Sequence, residues 1–107
     1  MTITTQTMTG YFILFLNKAI FLETTATRKT KKHVYAMIEA IGRFRGLSKE
    51  MIDSCKADPA SYKKIQHDMA LATIETKYTN GQAWYSVRGE FFGGGYDLDE
   101  IIILKEA

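Results

Sequence analysis

The fold is decided by residues 71–88, which read LATIETKYTNGQAWYSVR. Asn80-Gly81 is a strong hairpin signal, because a type I′ turn requires positive φ at both central residues and these two residue types tolerate it. The predicted cross-strand pairs are Thr79–Gln82, Tyr78–Ala83, Lys77–Trp84, Thr76–Tyr85, Glu75–Ser86, Ile74–Val87 and Thr73–Arg88. One face of this hairpin is mostly apolar and the other mostly polar, so the turn and the side-chain alternation favour the same register.

A second hairpin is predicted near the start of the chain. Tyr11–Leu16 and Ala19–Thr24 are apolar runs, and Asn17-Lys18 is the expected turn between them. This turn predicts the pairs Phe15–Ile20, Leu14–Phe21 and Ile13–Leu22. Both faces are apolar, which is typical of strands covered on each side or covered by a partner. A helix is the alternative for so short an apolar run. Residues 1–9 are rich in threonine and are expected to form a loose tail or an edge strand.

Three helices are predicted in the middle of the chain. The first spans Thr30–Phe44, with Thr27 or Thr30 as its N-cap and Gly46 just after its end. The second runs from Ser48 to about residue 56, and the third has Asp58 as N-cap and Pro59 at its first position. Their buried positions, spaced by three and four residues, are expected to be Val34, Met37, Ile38, Ile41, Phe44, Met51, Ile52, Cys55, Tyr62, Ile65 and Met69.

The end of the chain adds one further strand. The second strand of the 71–88 hairpin is expected to continue through Glu90–Phe92, and Gly93–Glu100 to form a flexible connection whose acidic side chains could contact a basic partner. Ile101–Leu104 is then a last buried strand. The order of two strands, three helices and three strands predicts a single small α+β domain, residues 1–107, with a mainly antiparallel sheet of about five strands and helices packed on it.

Charge is unevenly distributed along a chain whose formal net charge is only +2. Residues 28–64 hold ten cationic and four acidic side chains, whereas residues 89–107 hold one cationic and five acidic side chains. This separation predicts a basic side and an acidic side, which would orient a partner. The single cysteine favours a reducing compartment. The longest apolar run falls short of the roughly 20 residues that a membrane helix needs, so we expect a cytoplasmic protein that does not act in a membrane.

Signatures of catalysis are nearly absent from the sequence. Neither His33 nor His67 has a second metal ligand at helical spacing, and Cys55 has no partner base at a recognisable spacing. The glycine-rich run after Phe92 lacks the residues of a phosphate loop or a calcium loop. We therefore expect no catalytic residues, no metal and no cofactor.

Basic residues give the most suggestive candidate site. Arg28, Lys29, Lys31 and Lys32 lie where the first helix begins, at the end of the helix dipole that favours anions. They either bind phosphate or form a solvated first turn.

A helix-turn-helix is a second interpretation of the basic segment. The side chains facing the DNA major groove would then be Ser61, Lys63, Lys64, Gln66 and His67, with Lys77 and Arg88 on the hairpin as a wing. A plain helical hairpin explains the same pattern.

Trp84, the only tryptophan, is predicted on the polar face beside Lys77. It could be a hot spot for a protein partner, a platform on which a base stacks, or a core residue.

These features favour a domain that works by binding. The first hypothesis is a small non-enzymatic protein-interaction module, an inhibitor or adaptor that docks on a larger macromolecule. Such domains are common among phage and mobile-element accessory proteins. The apolar strands could instead pair in a homodimer. The alternative function is nucleic-acid binding through the basic segment 28–64.

Overall fold

A computed structural model of the chain describes residues 6–106 and confirms the α+β class. Its elements are β1 (Thr7–Phe15), β2 (Lys18–Glu23), α1 (Lys31–Phe44), α2 (Lys49–Ala57), α3 (Pro59–Asp68), β3 (Ala70–Thr79), β4 (Gln82–Gly89), β5 (Gly93–Asp97) and β6 (Ile101–Lys105). The chain divides into two compact units. The helical unit is Ala26–Met69, and the sheet unit is formed by the residues on either side of it. No helix in the described part of the chain is long and apolar enough to span a membrane.

The sheet unit holds six strands in the order β5-β4-β3-β1-β2-β6. Neighbouring strands are antiparallel except β2 and β6, which are parallel. Of residues 1–9, which are predicted as a tail or an edge strand, Thr7–Thr9 form the start of β1 and pair with Thr73–Glu75 of β3. They precede Gly10, where the pairing of β1 with β2 begins. The rest of that prediction, for residues 1–5, lies outside the described residues.

The 71–88 hairpin is confirmed in full. Asn80 has φ 52° and Gly81 has φ 80°, as a type I′ turn requires. All seven predicted pairs occur in the β3–β4 ladder. The register of this hairpin is therefore the one that the local turn chemistry predicts.

The first hairpin forms, but its predicted turn is wrong by one residue. Leu16-Asn17 is the turn, with Leu16 at φ 54°, and Phe15 pairs with Lys18. Every pair is consequently displaced by two residues, so that Phe12 lies opposite Phe21. The observed register places two aromatic side chains on one face, whereas the predicted one would have set Glu23 against Phe12. Packing of this cross-strand pair outweighs the unfavourable φ of one leucine.

The prediction of a flexible connection after Phe92 is wrong as well. β4 ends at Gly89, whose N–H donates to the carbonyl oxygen of Phe92 at 2.9 Å across a tight turn. Residues 93–97 then form β5, which pairs along its length with β4. Three consecutive glycines have little strand propensity of their own, so it is the ladder with β4 that makes them a strand.

The sheet is strongly curled around an apolar cluster. Phe12 of β1 lies 5.8 Å from the ring of Tyr96 on β5 and 5.5 Å from the ring of Phe92. In a flat sheet, β1 and β5 would be three strand spacings, or about 14 Å, apart. The cluster on this concave face contains Phe12, Ala19, Phe21, Ala72, Ile74, Val87 and Ile101. The curl also explains how residues 98–100 suffice to join the two edge strands β5 and β6.

The helical unit is defined by its caps. Thr30 is the N-cap of α1, and Gly46, with φ 74°, follows the C-cap Arg45. Ser48 and Asp58 are the N-caps of α2 and α3 and accept hydrogen bonds from N–H groups in the first turns of those helices. All three predicted helices are therefore present, with boundaries within one residue of the expected ones.

Two expected core positions are exposed instead. Phe44 and Met51 are 45% and 53% exposed, while the last buried residue of α1 is Gly42. His33, which the apolar pattern omits, is 2% exposed. The helical period identifies the centre of a buried stripe better than its ends, because the last turn of a helix can extend beyond its packing partner.

Candidate functional site

The predicted basic candidates in the helical unit do not all act as surface cations. The Lys29 ammonium donates to the backbone oxygen of Gln66 at 2.6 Å, so it joins the segment before α1 to the last turns of α3. This contact gives Lys29 a structural role. The candidates that are exposed are Arg28, Lys31, Lys32, Lys63 and Lys64.

A tyrosine pair lies beside these cations. The rings of Tyr35 and Tyr62 pack edge to face at 5.9 Å, and the ammonium groups of Lys31 and Lys56 lie 5.3 and 5.7 Å from the Tyr35 ring centre. Each cation is attracted by the ring quadrupole. This surface of the helical unit is therefore both aromatic and cationic.

The geometry of α2 and α3 differs from that of a helix-turn-helix. Only Asp58 separates the two helices, whereas that motif needs a turn of about three or four residues. Ser61 contacts the Asp58 carboxylate at 2.7 Å, so its hydroxyl serves the cap of α3. Gln66 is half-buried and His67 is exposed. A helical hairpin accounts for this segment better than a DNA-reading motif.

The predicted sheet candidates share the face of the sheet opposite the apolar cluster. Lys77 and Trp84 are directly paired, and Arg88 lies four residues along the same strand, opposite Thr73. The Lys77 ammonium is 3.5 Å from the Glu75 carboxylate. The structure thus brings Lys77 and Trp84 together and leaves Arg88 about 13 Å away along β4.

Trp84 is held in a fixed orientation at the surface. It is half-buried, and its indole Nε1 donates to the Thr79 hydroxyl at 3.0 Å. Its six-membered ring lies over Gly95 of the neighbouring strand, where a Cβ atom would come within 3.1 Å of the indole Cζ3. A side chain at this position would therefore displace the ring by a few tenths of an ångström.

The indole forms one wall of a cleft within the sheet unit. The cleft has a volume of about 440 Å³, and its lining residues are Thr79, Asn80, Gln82, Ala83, Trp84, Gly95, Tyr96, Asp97 and Glu100. The β3–β4 turn supplies one end of it, and the end of β5 supplies the other. Two tight turns therefore position the site, one of them the Asn80-Gly81 turn that the sequence predicts.

The cleft is acidic. Glu100 accepts a hydrogen bond from the backbone N–H of Asp97 at 2.8 Å, and its own N–H donates to the Asp97 carbonyl at 3.0 Å. These bonds fix the turn that carries both carboxylates into the cleft lining. The cation paired with Trp84 across the strands is Lys77, and the Glu75 carboxylate, 3.5 Å from its ammonium group, offsets its charge. The cleft therefore favours a positively charged group.

The cleft adjoins an open strand edge. Among the described residues, no strand pairs with the outer side of β5. The bond from Gly89 to Phe92 identifies the hydrogen-bonded positions of this ladder, so Gly93, Gly95 and Asp97 direct their N–H and C=O groups away from β4. The Asp97 N–H is taken by Glu100, and the backbone groups of Gly93 and Gly95 face outward.

The sequence identifies Trp84 and its face, and it offers the acidic side chains of residues 93–100 as contacts for a basic partner, but it does not place those carboxylates beside Trp84. Asp97 and Glu100 belong to it only because residues 93–97 pair with β4, and a glycine run gives little signal of that pairing. Asp97 lies opposite Trp84 only in that ladder. No group of three or more metal-ligating side chains occurs in residues 6–106. Comparisons with protein-family models, curated proteins and solved structures give no match.

Proposed function

We propose that the chain is a small non-enzymatic protein-interaction module, an adaptor or inhibitor, that binds a partner through the Trp84 cleft of the sheet unit. The observation that carries the proposal is the orientation of Trp84, which is fixed at the surface by Thr79 and lies over Gly95. Tryptophan is among the residues most enriched in binding hot spots.

A fixed side chain suits this role, because binding then costs little conformational entropy. The indole is hydrogen-bonded to Thr79 and lies against Gly95, and the cleft beside it is large enough for one partner side chain. The polar groups around the cleft would supply the hydrogen-bonding rim that surrounds a typical hot spot.

The proposal is tested by substituting Trp84 and comparing the captured proteins. Tagged wild-type chain and Trp84→Ala are used to capture partners from the source cell, with Tyr78→Ala as the matched control. Tyr78 is an exposed aromatic residue of the same hairpin on the opposite face. We expect a partner that is captured by the wild type and the control and is lost with Trp84→Ala.

Folding of each variant is checked by circular dichroism and thermal unfolding. If Trp84→Ala fails to fold, Asp97→Arg replaces it, since Asp97 is exposed on the cleft wall. A partner that binds both substituted chains as well as the wild type would contradict the proposal.

Nucleic-acid binding by the helical unit is the second candidate. It is supported by the exposed cations Lys31, Lys32, Lys63 and Lys64 and by the tyrosine pair beside Lys31. This unit holds ten cationic and five acidic side chains, whereas the sheet unit holds four and seven. The two candidates therefore use different units and can be tested separately.

A further inference from the structure

We infer that the outer edge of β5 and the Trp84 cleft together bind an extended basic segment of a partner protein, which adds a strand to the sheet and places an arginine side chain against Trp84. This inference rests on the proposed function and names the chemistry of its partner.

The strand edge supplies the backbone part of the interaction. Gly93 and Gly95 direct N–H and C=O groups outward, and both residues are exposed. Strand addition at such an edge gains affinity from main-chain hydrogen bonds that do not depend on the partner's sequence. Three glycines in succession also remove the side chains that would keep another backbone at a distance. The edge carries neither lysine nor proline, the residues that commonly prevent pairing of exposed edges.

The cleft supplies the specificity. Paired residues on adjacent strands project from the same face of a sheet, so a partner residue opposite Gly95 would project from the face that carries Trp84. Its side chain would lie beside the indole, close to Asp97 and within the cleft that Glu100 also lines. An added strand thus projects every second side chain from this face, and the side chain opposite Gly95 is the one that lies at the cleft.

The charges at the cleft favour a cation in that position. Two carboxylates and an indole face attract a cation, and the sheet unit as a whole carries more acidic than cationic side chains. The two cations near the cleft each have an oxygen partner. The Lys77 ammonium is 3.5 Å from the Glu75 carboxylate, and the Lys18 ammonium donates to the Asp99 carbonyl at 2.7 Å. Arginine fits better than lysine, because its planar group can stack on the indole and bond a carboxylate at the same time.

The test uses a defined peptide and no unknown partner. The probe is a capped nine-residue peptide that alternates threonine and lysine around a central arginine. Trp84 fluorescence, which comes from the only tryptophan, reports occupancy of the cleft. Amide hydrogen exchange of Gly93 and Gly95, measured by NMR, reports pairing at the edge. We expect saturable binding, protection of both amides, and affinity about fivefold weaker for Asp97→Asn.

Three further peptides test charge selection and strand addition separately. Citrulline in place of arginine removes the charge but keeps the shape, and glutamate reverses the charge; both should bind more weakly. Proline on either side of the arginine removes backbone donors and should abolish protection of the glycine amides. Asp53→Asn, the same substitution at an exposed aspartate of the helical unit, serves as the matched control for Asp97→Asn and should leave the affinity unchanged.

Several results would overturn the inference. Equal affinity for the arginine and glutamate peptides would exclude charge selection, and absence of protection at Gly93 and Gly95 would exclude strand addition. Protection that appears without peptide and rises with protein concentration would show that a second copy of the chain occupies the edge. If no peptide binds while the captured partner still requires Trp84, the proposed function stands and this inference fails. If the partner is retained by Trp84→Ala, the proposed function itself fails.

Discussion

His33 serves the structure as a helix cap. Its Nδ1 atom accepts a hydrogen bond from the Thr30 backbone N–H at 3.1 Å, and its own backbone N–H donates to the Thr30 hydroxyl oxygen. The pair is a capping box in which histidine takes the position usually held by glutamate or glutamine. A buried histidine outside the apolar stripe is thus explained without a metal or a catalytic role.

Loss of the cap should destabilise α1. Thr30→Ala removes the hydroxyl that accepts the His33 N–H, and we expect a loss of about 1 kcal/mol in the free energy of unfolding. Urea denaturation monitored by circular dichroism measures it. Thr27→Ala is the matched control, since Thr27 is exposed and is not the cap. Equal destabilisation by the two substitutions would show that the capping box contributes nothing.

Tyr11 should make the stability of the protein sensitive to alkali. Burial raises the pKa of the Tyr11 hydroxyl above its ordinary value of 10.0. The Tyr11 hydroxyl therefore keeps its proton in the folded state at pH values where it loses that proton in the unfolded chain. Unfolding is consequently favoured as the pH rises above about 10. We expect the wild type to lose stability relative to Tyr11→Phe over this range and not at pH 8. Parallel pH profiles of the thermal midpoint for the two proteins would refute this.

At the scale of elements, some strand pairings follow from the local sequence of a turn, and others follow from contacts between strands. The 71–88 hairpin could be predicted in full because Asn80-Gly81 dictates its own turn. The Leu16-Asn17 turn could not, because leucine disfavours the positive φ that it adopts there and the register depends on pairing between Phe12 and Phe21. In the same way, the formation of β5 and the position of the two cleft carboxylates depend on contacts with β4, which no local sequence pattern predicts.

Gly95 should be the most demanding position in β5. A Cβ at residue 95 would lie 3.1 Å from the Trp84 ring, tighter than ordinary contact, whereas a Cβ at Gly93 would lie 3.5 Å from the Val87 oxygen. We expect Gly95→Ala to displace the indole, shift its emission maximum and cost about 1 kcal/mol. Gly93→Ala is the control and should leave the emission unchanged. Identical spectra for the two variants would mean that the indole does not rest on β5.

At the scale of the whole molecule, charge divides the two candidate functions between the two units. The helical unit has an excess of five positive charges, and the sheet unit has an excess of three negative charges. A polyanion should therefore be drawn to the helical unit, and a basic peptide to the sheet unit. The net charge of +2 conceals this division, which explains why overall composition gives so little indication of a partner.

The nucleic-acid candidate makes a quantitative prediction about salt. Fluorescence anisotropy of labelled duplex and single-stranded DNA and RNA, titrated at two salt concentrations, measures both affinity and its salt dependence. If Lys31 and Lys32 contact phosphates, replacing both with glutamine should reduce the slope of log affinity against log salt by about two units on duplex DNA, because each contact releases roughly 0.9 counterions. Lys105→Gln, an exposed cation of the sheet unit, should leave the slope unchanged. Absence of binding at low salt would exclude this function, and the helical cations would then be solvated surface charges.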